Sequence, residues 1–404
     1  RVTVRIILIE RLFSELINQE KRMIYRTLGR TGAKVSAIAL GCEGFVGKTQ
    51  DEAREMVDYA VGNGINFIDV YSSDPGLRST LGNALLGRRE NFVIQAHLCS
   101  VWKNGQYERT RDLAETKQAF ADLLKRLGTD YIDVGMIHYI DAVDDFHTVF
   151  DGGIIEYAKQ LKAEGKIRSI GLSSHNPVTA RMAVETGLID VLMFSVNPCY
   201  DMQPPDEDVE MLWADERYEK ALHNFNSERE SLYELCEREN VGIDVMKVYA
   251  GGDLLKADMS PFGRAFTPVQ ALNYALTRPA VAAVMVGCRS ISEMEQALAW
   301  CNATGEERDY SKVLAGLEKF TWSGHCMYCG HCAPCPVGIE VANVNKYLNL
   351  ALAQQELPET VREHYKVLKH HAGECIACGQ CEKRCPFQVP IRRKMKEAAK
   401  VFGC

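Results

Sequence analysis

No stretch of this chain is apolar for the roughly 20 residues that a bilayer-spanning helix needs. Low-complexity tracts are missing as well. Lys and Arg number 47 against 54 Asp and Glu, and the net charge of −7 gives no reason to expect nucleic acid or an anionic membrane as partner. No G-x-G-x-x-G follows the first strand candidate, which argues against a Rossmann sheet. The chain does not begin with methionine, and the first one is Met23. Before it, the apolar segment Ile6–Ile9 falls short of the roughly 7–15 residues of a signal-peptide core, with no small-residue cleavage site after it. Residues 1–22 are therefore expected to be an upstream, non-native extension or a weak amphipathic helix rather than a targeting segment.

What the chain has in quantity is cysteine, 15 in all. The count is odd and no export signal accompanies it, so a disulfide framework is not expected, and a reducing, cytoplasmic location is. Nine cysteines lie beyond residue 325, eight of them in two tight clusters. CMYCGHCAPCP places Cys326, Cys329, Cys332 and Cys335 before a proline, and CIACGQCEKRCP does the same for Cys375, Cys378, Cys381 and Cys385. C-x₂-C-x₂-C lets three thiolates wrap three corners of an iron–sulfur cubane, while the cysteine before proline turns away to ligate the other cluster. One [4Fe–4S] cluster is thus expected on Cys326, Cys329, Cys332 and Cys385, and a second on Cys375, Cys378, Cys381 and Cys335. Zinc knuckles are the alternative, since Cys₄ zinc sites also use C-x₂-C pairs, but zinc needs neither the third in-phase cysteine nor the Cys-Pro. The first motif departs from the bacterial run in having two residues, not three, between Cys332 and Cys335. The long helical segment between the motifs suits an α-helical ferredoxin type. Cys404 and the six earlier cysteines have no matching spacing and read as free thiols.

From Val35 to about Trp300, short apolar runs alternate with helical patterns. The strand candidates are VSAIALG (35–41), NFIDV (66–70), FVIQAHL (92–98), IDVGMIH (132–138), SIGLSSH (169–175), VLMFSVN (191–197), GIDVMKVY (242–249) and VAAVMVG (281–287). Helices are predicted over 52–63 and 116–128, the latter with Ala119, Leu123, Leu124 and Leu127 on one apolar face. Eight such units predict an α/β fold, a (β/α)₈ TIM barrel over 23–305 followed by a small α-helical ferredoxin-like domain over 306–404. An acidic, aromatic stretch at 200–228 follows the sixth strand and reads as a lid, a partner-docking loop or a peripheral helical insertion.

The segments YRTLGRTGAKVSAIALGC (25–42), GINFIDV (64–70), LGTDYIDVGMIH (127–138), GLSSHN (171–176), VMKVYAGGDLL (245–255) and VGCRS (286–290) resemble the aldo/keto reductase family. With the cysteine motifs, the whole chain is similar to the subgroup of that family with a ferredoxin-like tail. The resemblance implies an Asp–Tyr–Lys–His tetrad in which tyrosine protonates a carbonyl oxygen. The aspartate falls on Asp69 and the histidine on His138. The tyrosine position holds Asp74, with Tyr71 nearby but out of register, and the lysine position holds His97. Asp69, Asp74, His97 and His138, with His175, would alternatively suit a divalent metal. The resemblance also implies NADP(H) across the barrel mouth, with Ser173, Asn197, Lys247, Gly251, Gly252, Arg289 and Ser290 as candidate contacts.

Three functions are then compatible with the residues. In the first, the clusters pass electrons to or from a small-molecule substrate or a cofactor such as flavin at the mouth, with a ferredoxin or other redox protein as partner. The second is an NADP-dependent carbonyl reductase with structural clusters. The third is a non-catalytic electron-transfer adaptor in a larger complex.

Overall fold

The computed structural model describes residues 23–212, 222–224, 226–317, 320–321, 323–353 and 356–404. The expected readings of residues 1–22, and of part of the acidic stretch (213–221 and 225), lie outside these.

Runs that are apolar on both faces become parallel strands covered on both sides. They are β1 (Ile38–Gly41), β2 (Phe67–Val70), β3 (Val93–Leu98), β4 (Ile132–Ile137), β5 (Ile167–Ser174), β6 (Val191–Ser195), β7 (Gly242–Met246) and β8 (Val281–Val286). Each pairs with its neighbours in chain order, and β8 pairs with β1, closing an eight-stranded barrel.

The first predicted strand is divided. Lys34–Ser36 pairs antiparallel with Tyr25–Thr27 as a hairpin, and only Ile38–Gly41 joins the barrel. The hairpin plugs the floor: Leu28 and Val35 pack with Ala39, Phe67 and Met136 of the barrel interior. Gly29 makes this approach possible. Its φ is 48°, and a Cβ there would stand 2.2 Å from the backbone nitrogen of Gly242.

Outer helices bury one stripe each. Helix Gln50–Gly62 starts with a Thr49–Glu52 capping box. Helix Leu113–Leu127 buries Thr116, Phe120, Leu123 and Leu127. The predicted Ala119 and Leu124 are only half-buried on its flanks, because Phe120 offers far more apolar area than Ala119.

Beyond the barrel the chain is mainly helical, with Val341–Leu352, Glu359–Lys366, Gln380–Arg384 and Ile391–Phe402. Tyr365 stacks on Phe402 at 3.8 Å between ring centroids. None of the described helices is long and apolar enough to cross a membrane.

The barrel holds this region through buried polar contacts. Arg278, 1% exposed, donates to the Tyr310 hydroxyl at 2.9 Å and to the Met327 carbonyl. Tyr310 donates to the same carbonyl at 2.5 Å. Behind them, fully buried Asp201 accepts from Arg229 (2.9 Å), Tyr233 (2.6 Å) and Tyr274 (2.7 Å).

At the edge, His364 Nδ1 lies 2.6 Å from Glu237 Oε1. Their hydrogen bond lifts His364 above its usual 6.5. Burial works to raise Glu237, yet the bond from His364 outweighs it and leaves Glu237 below its usual 4.5. The histidine's contribution is complete below 6.5 and lost as pH rises through its folded value. The glutamate's is present above 4.5 and lost as pH falls through its folded value. The contact is therefore expected to stabilise most between about 4.5 and 6.5. Thermal unfolding against pH checks this, with His364→Gln expected to remove that dependence.

Candidate active site and cluster ligands

The C-terminal ends of the strands line a large cavity that is open at its mouth. Asp69 near the end of β2, His97 near the end of β3 and His138 just after β4 all line it. His97 Nε2 is 3.1 Å from Asp69 Oδ1, and His97 Nδ1 is 2.6 Å from His138 Nδ1. The remaining nitrogen of His138, Nε2, meets the Tyr107 hydroxyl.

This fixes one consistent set of proton positions for neutral rings. Tyr107 O–H donates to His138 Nε2, His138 Nδ1–H to His97 Nδ1, and His97 Nε2–H to Asp69. Neutrality of His138 has a physical cause. Burial holds it well below its usual 6.5, and the neighbouring His97 and Arg111 act in the same direction. Arg111 also donates to the His138 carbonyl at 3.0 Å and fixes the backbone there. Burial likewise raises the Tyr107 phenol above its usual 10.0, helped by Tyr139.

Tyr107 was not singled out in the sequence. It stands on a hairpin, Ser100–Lys103 paired with Gln106–Arg109, inserted after β3. The signal was present: Asn104-Gly105, both with positive φ, makes the two-residue turn that such a dipeptide favours.

Below the histidines the barrel interior holds Gln95 and Asp244, both fully buried. Gln95 Nε2 donates to Asp69 Oδ1 at 3.1 Å. Burial pushes Asp244 well above the usual carboxylate range, and the nearby Asp69 adds to it. Gln95 Oε1 and both carboxyl oxygens of Asp244 have no hydrogen-bond partner among the described residues. The line of polar groups thus runs from the barrel axis to the mouth.

The other candidates separate clearly. Tyr71 lines the cavity, its ring edge-on to Tyr107 at 5.9 Å, with its phenol pushed up to about 12 by burial and then by Glu43. Asp74 does not line it. It caps helix Pro75–Ala84, accepting from Leu77 N at 3.0 Å, so it replaces neither the tyrosine nor a metal ligand. Asp74→Ala is expected to cost about 1 kcal/mol of stability, read by denaturant unfolding, and to leave turnover unchanged. His175 is tied to Asp141 at 2.9 Å, so the alternative divalent-metal set is not gathered together.

Ser173, Lys247, Gly251, Gly252 and Arg289 line the cavity, but Asn197 and Ser290 do not. Asn197 braces the loop after β6, accepting from Cys199 N and Tyr200 N at 3.0 Å each. Ser290 caps helix Ile291–Asn302. At the rim, Lys247 and Arg289 face Glu43, Asp253, Asp258 and Glu293. The donor set therefore fits the phosphates of NADP only in part.

In the C-terminal region Cys335, Cys375, Cys378 and Cys381 line one recess with ≈ 380 Å³ of atom-free space. Cys385 stands beside Cys326 and Cys332, and the charge of Cys326 is also felt at Cys329. Cys332 also lies near Cys381, of the other expected set. Among the described residues no three His, Cys, Asp or Glu lie close enough to hold one metal ion. The chemistry of a four-iron cluster calls for four thiolates, which each of these sets would supply.

A closed parallel barrel with its polar residues gathered at the strand ends, followed by two cysteine-lined sites, defines a redox enzyme. The model for the aldo/keto reductase family matches residues 37–265, and that for the 4Fe-4S dicluster domain matches 322–389. The chain is 25% identical over 316 residues to the uncharacterized oxidoreductase YqkF of Bacillus subtilis, covering 73% of this chain and 96% of that one. It is 28% identical over 192 residues to the aldo-keto reductase YhdN of Bacillus subtilis, covering 45% and 54%. The solved structure of the aldo-keto reductase AKR11C1 from Bacillus halodurans, in its holo form, superposes with a TM-score of 0.58 at 25% identity, covering 72% of this chain and 96% of that one. The chain belongs to the aldo/keto reductase family, and it is an oxidoreductase of that type carrying a 4Fe-4S dicluster domain.

Proposed function

We propose that this enzyme interconverts a small carbonyl compound and its alcohol at the barrel mouth, exchanging the electrons through its C-terminal clusters. The observation that carries the reading is the hydrogen-bonded line Tyr107–His138–His97–Asp69. Reduction of a carbonyl takes two electrons and two protons, one proton on oxygen and one on carbon. The clusters, when bound, supply electrons one at a time. In reduction the line starts from the reverse set of proton positions, with protons on Asp69, His97 Nδ1 and His138 Nε2. Tyr107 gives its proton to oxygen and takes one from His138, and the proton on carbon comes from water at the open mouth. In the oxidative direction the same line carries the alcohol proton away from Tyr107 toward Asp69. Tyr71 walls the pocket beside the phenol and limits water around it.

The test is anaerobic. Protein reduced by dithionite and freed of excess reductant is mixed with a series of small aldehydes and ketones. Return of the cluster absorbance, with one alcohol formed per two electrons, is expected. No return with any carbonyl compound sinks the proposal. A second reading, an NADP-dependent carbonyl reductase with structural clusters, is favoured by the five cofactor candidates that line the same cavity. It requires NADPH consumption with no change in cluster absorbance. Bleaching by NADPH would instead require a two-to-one-electron switch such as a flavin at the mouth.

A further inference from the structure

The two cysteine motifs are local copies of one another with opposite surroundings. In the first, Met327 and Tyr328 between Cys326 and Cys329 are 1% and 8% exposed. The barrel covers them: Arg278 and Tyr310 donate to the Met327 carbonyl, and Arg278 lies 5.0 Å from the Tyr328 ring. In the second, Ile376 and Ala377 take the same places between Cys375 and Cys378. The backbone repeats, with φ of 57° at Tyr328 and 54° at Ala377. Yet Ile376 is 62% exposed, and both Ala377 and Cys378 are exposed.

The surface around the bare loop is basic in a chain whose net charge is −7. From 380 to 400 there are seven cations, including Lys383, Arg392 and Lys396, against Glu382 and Glu397. Arg392 lines the recess of the second cysteine set, paired to Glu382 at 2.7 Å. Lys396 follows it by one helical turn on the same stripe, and Lys383 sits between Cys381 and Cys385. Both lysines are exposed.

We infer that the loop Cys375–Gly379, with the basic residues Lys383, Arg392 and Lys396, docks an acidic one-electron carrier protein, while the first motif faces the barrel. The inference rests on the proposed exchange of electrons through the clusters. Each docking event oxidises the carrier by one electron and reduces the second site by one, with no proton moved, and two events match one carbonyl reduction. An exposed apolar centre bordered mainly by charge of one sign, despite Glu374 and Glu382, suits a transient redox partner of the opposite sign. Electron-transfer encounters of this kind usually bury little area.

The test uses cluster-loaded protein, with a small acidic ferredoxin as probe and reduced methyl viologen as a donor that needs no docking. Stopped-flow reduction by the ferredoxin is expected to slow with added salt and to fall roughly 10-fold or more at low salt in Lys383→Glu/Lys396→Glu. Ile376→Asp is expected to do the same, and calorimetric binding of the oxidised ferredoxin should weaken in parallel. Reduction by methyl viologen should be unchanged in both variants. Viologen reduction with equal ferredoxin rates in wild type and variants overturns the docking surface alone. Failure of viologen to reduce the clusters at all overturns the proposed function on which it rests. A self-associated protein that dissociates in Lys383→Glu/Lys396→Glu would assign the face to a second copy of this chain and overturn the carrier.

Discussion

Tyr107→Phe is expected to lower kcat for carbonyl turnover by roughly 10²- to 10⁴-fold, the range for loss of a positioned general acid. KM should change little, because the ring still fills its place against Tyr71 and His138. Cluster absorbance should stay as in the wild type, and stability should fall by about 1–3 kcal/mol because buried His138 Nε2 loses the phenol's hydrogen bond. The pH profile provides a second reading. His138 accepts the phenol proton only while neutral, and burial holds it well below 6.5. The acid limb of kcat for alcohol oxidation is therefore expected beneath pH 6.5, and Tyr71→Phe should leave that limb in place. Equal kcat in wild type and Tyr107→Phe would remove the phenol from the chemistry.

Cys326→Ser and Cys378→Ser should each remove one cluster, taking bound iron from about eight to about four per chain. Unchanged iron in either variant would overturn the ligand assignment. Their effects on stability are expected to differ. Cys378 is exposed on a bare loop, so its loss should leave the barrel's unfolding as it was. Cys326 adjoins Met327, whose carbonyl takes hydrogen bonds from buried Arg278 and from Tyr310. When that loop loosens, a buried charged donor loses its acceptor, at a cost of about 1–3 kcal/mol. Iron analysis and denaturant unfolding of the two variants side by side measure both effects.

The eight strands were legible because each is apolar on both faces and bounded by turn residues. The split at Ala37 was not, since VSAIALG is one unbroken apolar run and only the packing of Leu28 and Val35 under the barrel divides it. Asp69, His97 and His138 could be placed from their positions at strand ends. Asp74 was misplaced by following the family register, although Asp-Pro at a helix start is a cap signal readable in the sequence. Ser290 was misread in the same way, as a ligand contact where it caps a helix. Tyr107 escaped because the hairpin can be read from Asn-Gly, but its fold back onto the mouth depends on contacts distant in sequence. The cysteine spacing carries its chemistry locally and was legible at once. The contrast between Met327 and Ile376 was not, since it depends on which motif the barrel covers.

The buried Arg278 contact bears on how the protein is made. A chain synthesised when iron is scarce has thiols but nothing to gather them, and metal sites of this kind form together with the fold around them. Met327 and Tyr328 would then not be held against the barrel wall, and Tyr274, Tyr310 and Arg278 would meet water. The barrel interior packs as a cluster of its own, so the barrel would persist, but the outer core that runs on into the C-terminal helices would leave it one wet apolar flank. Such a flank is what chaperones and proteases select. Abundance of the enzyme would then follow the cell's iron supply without any change in transcription.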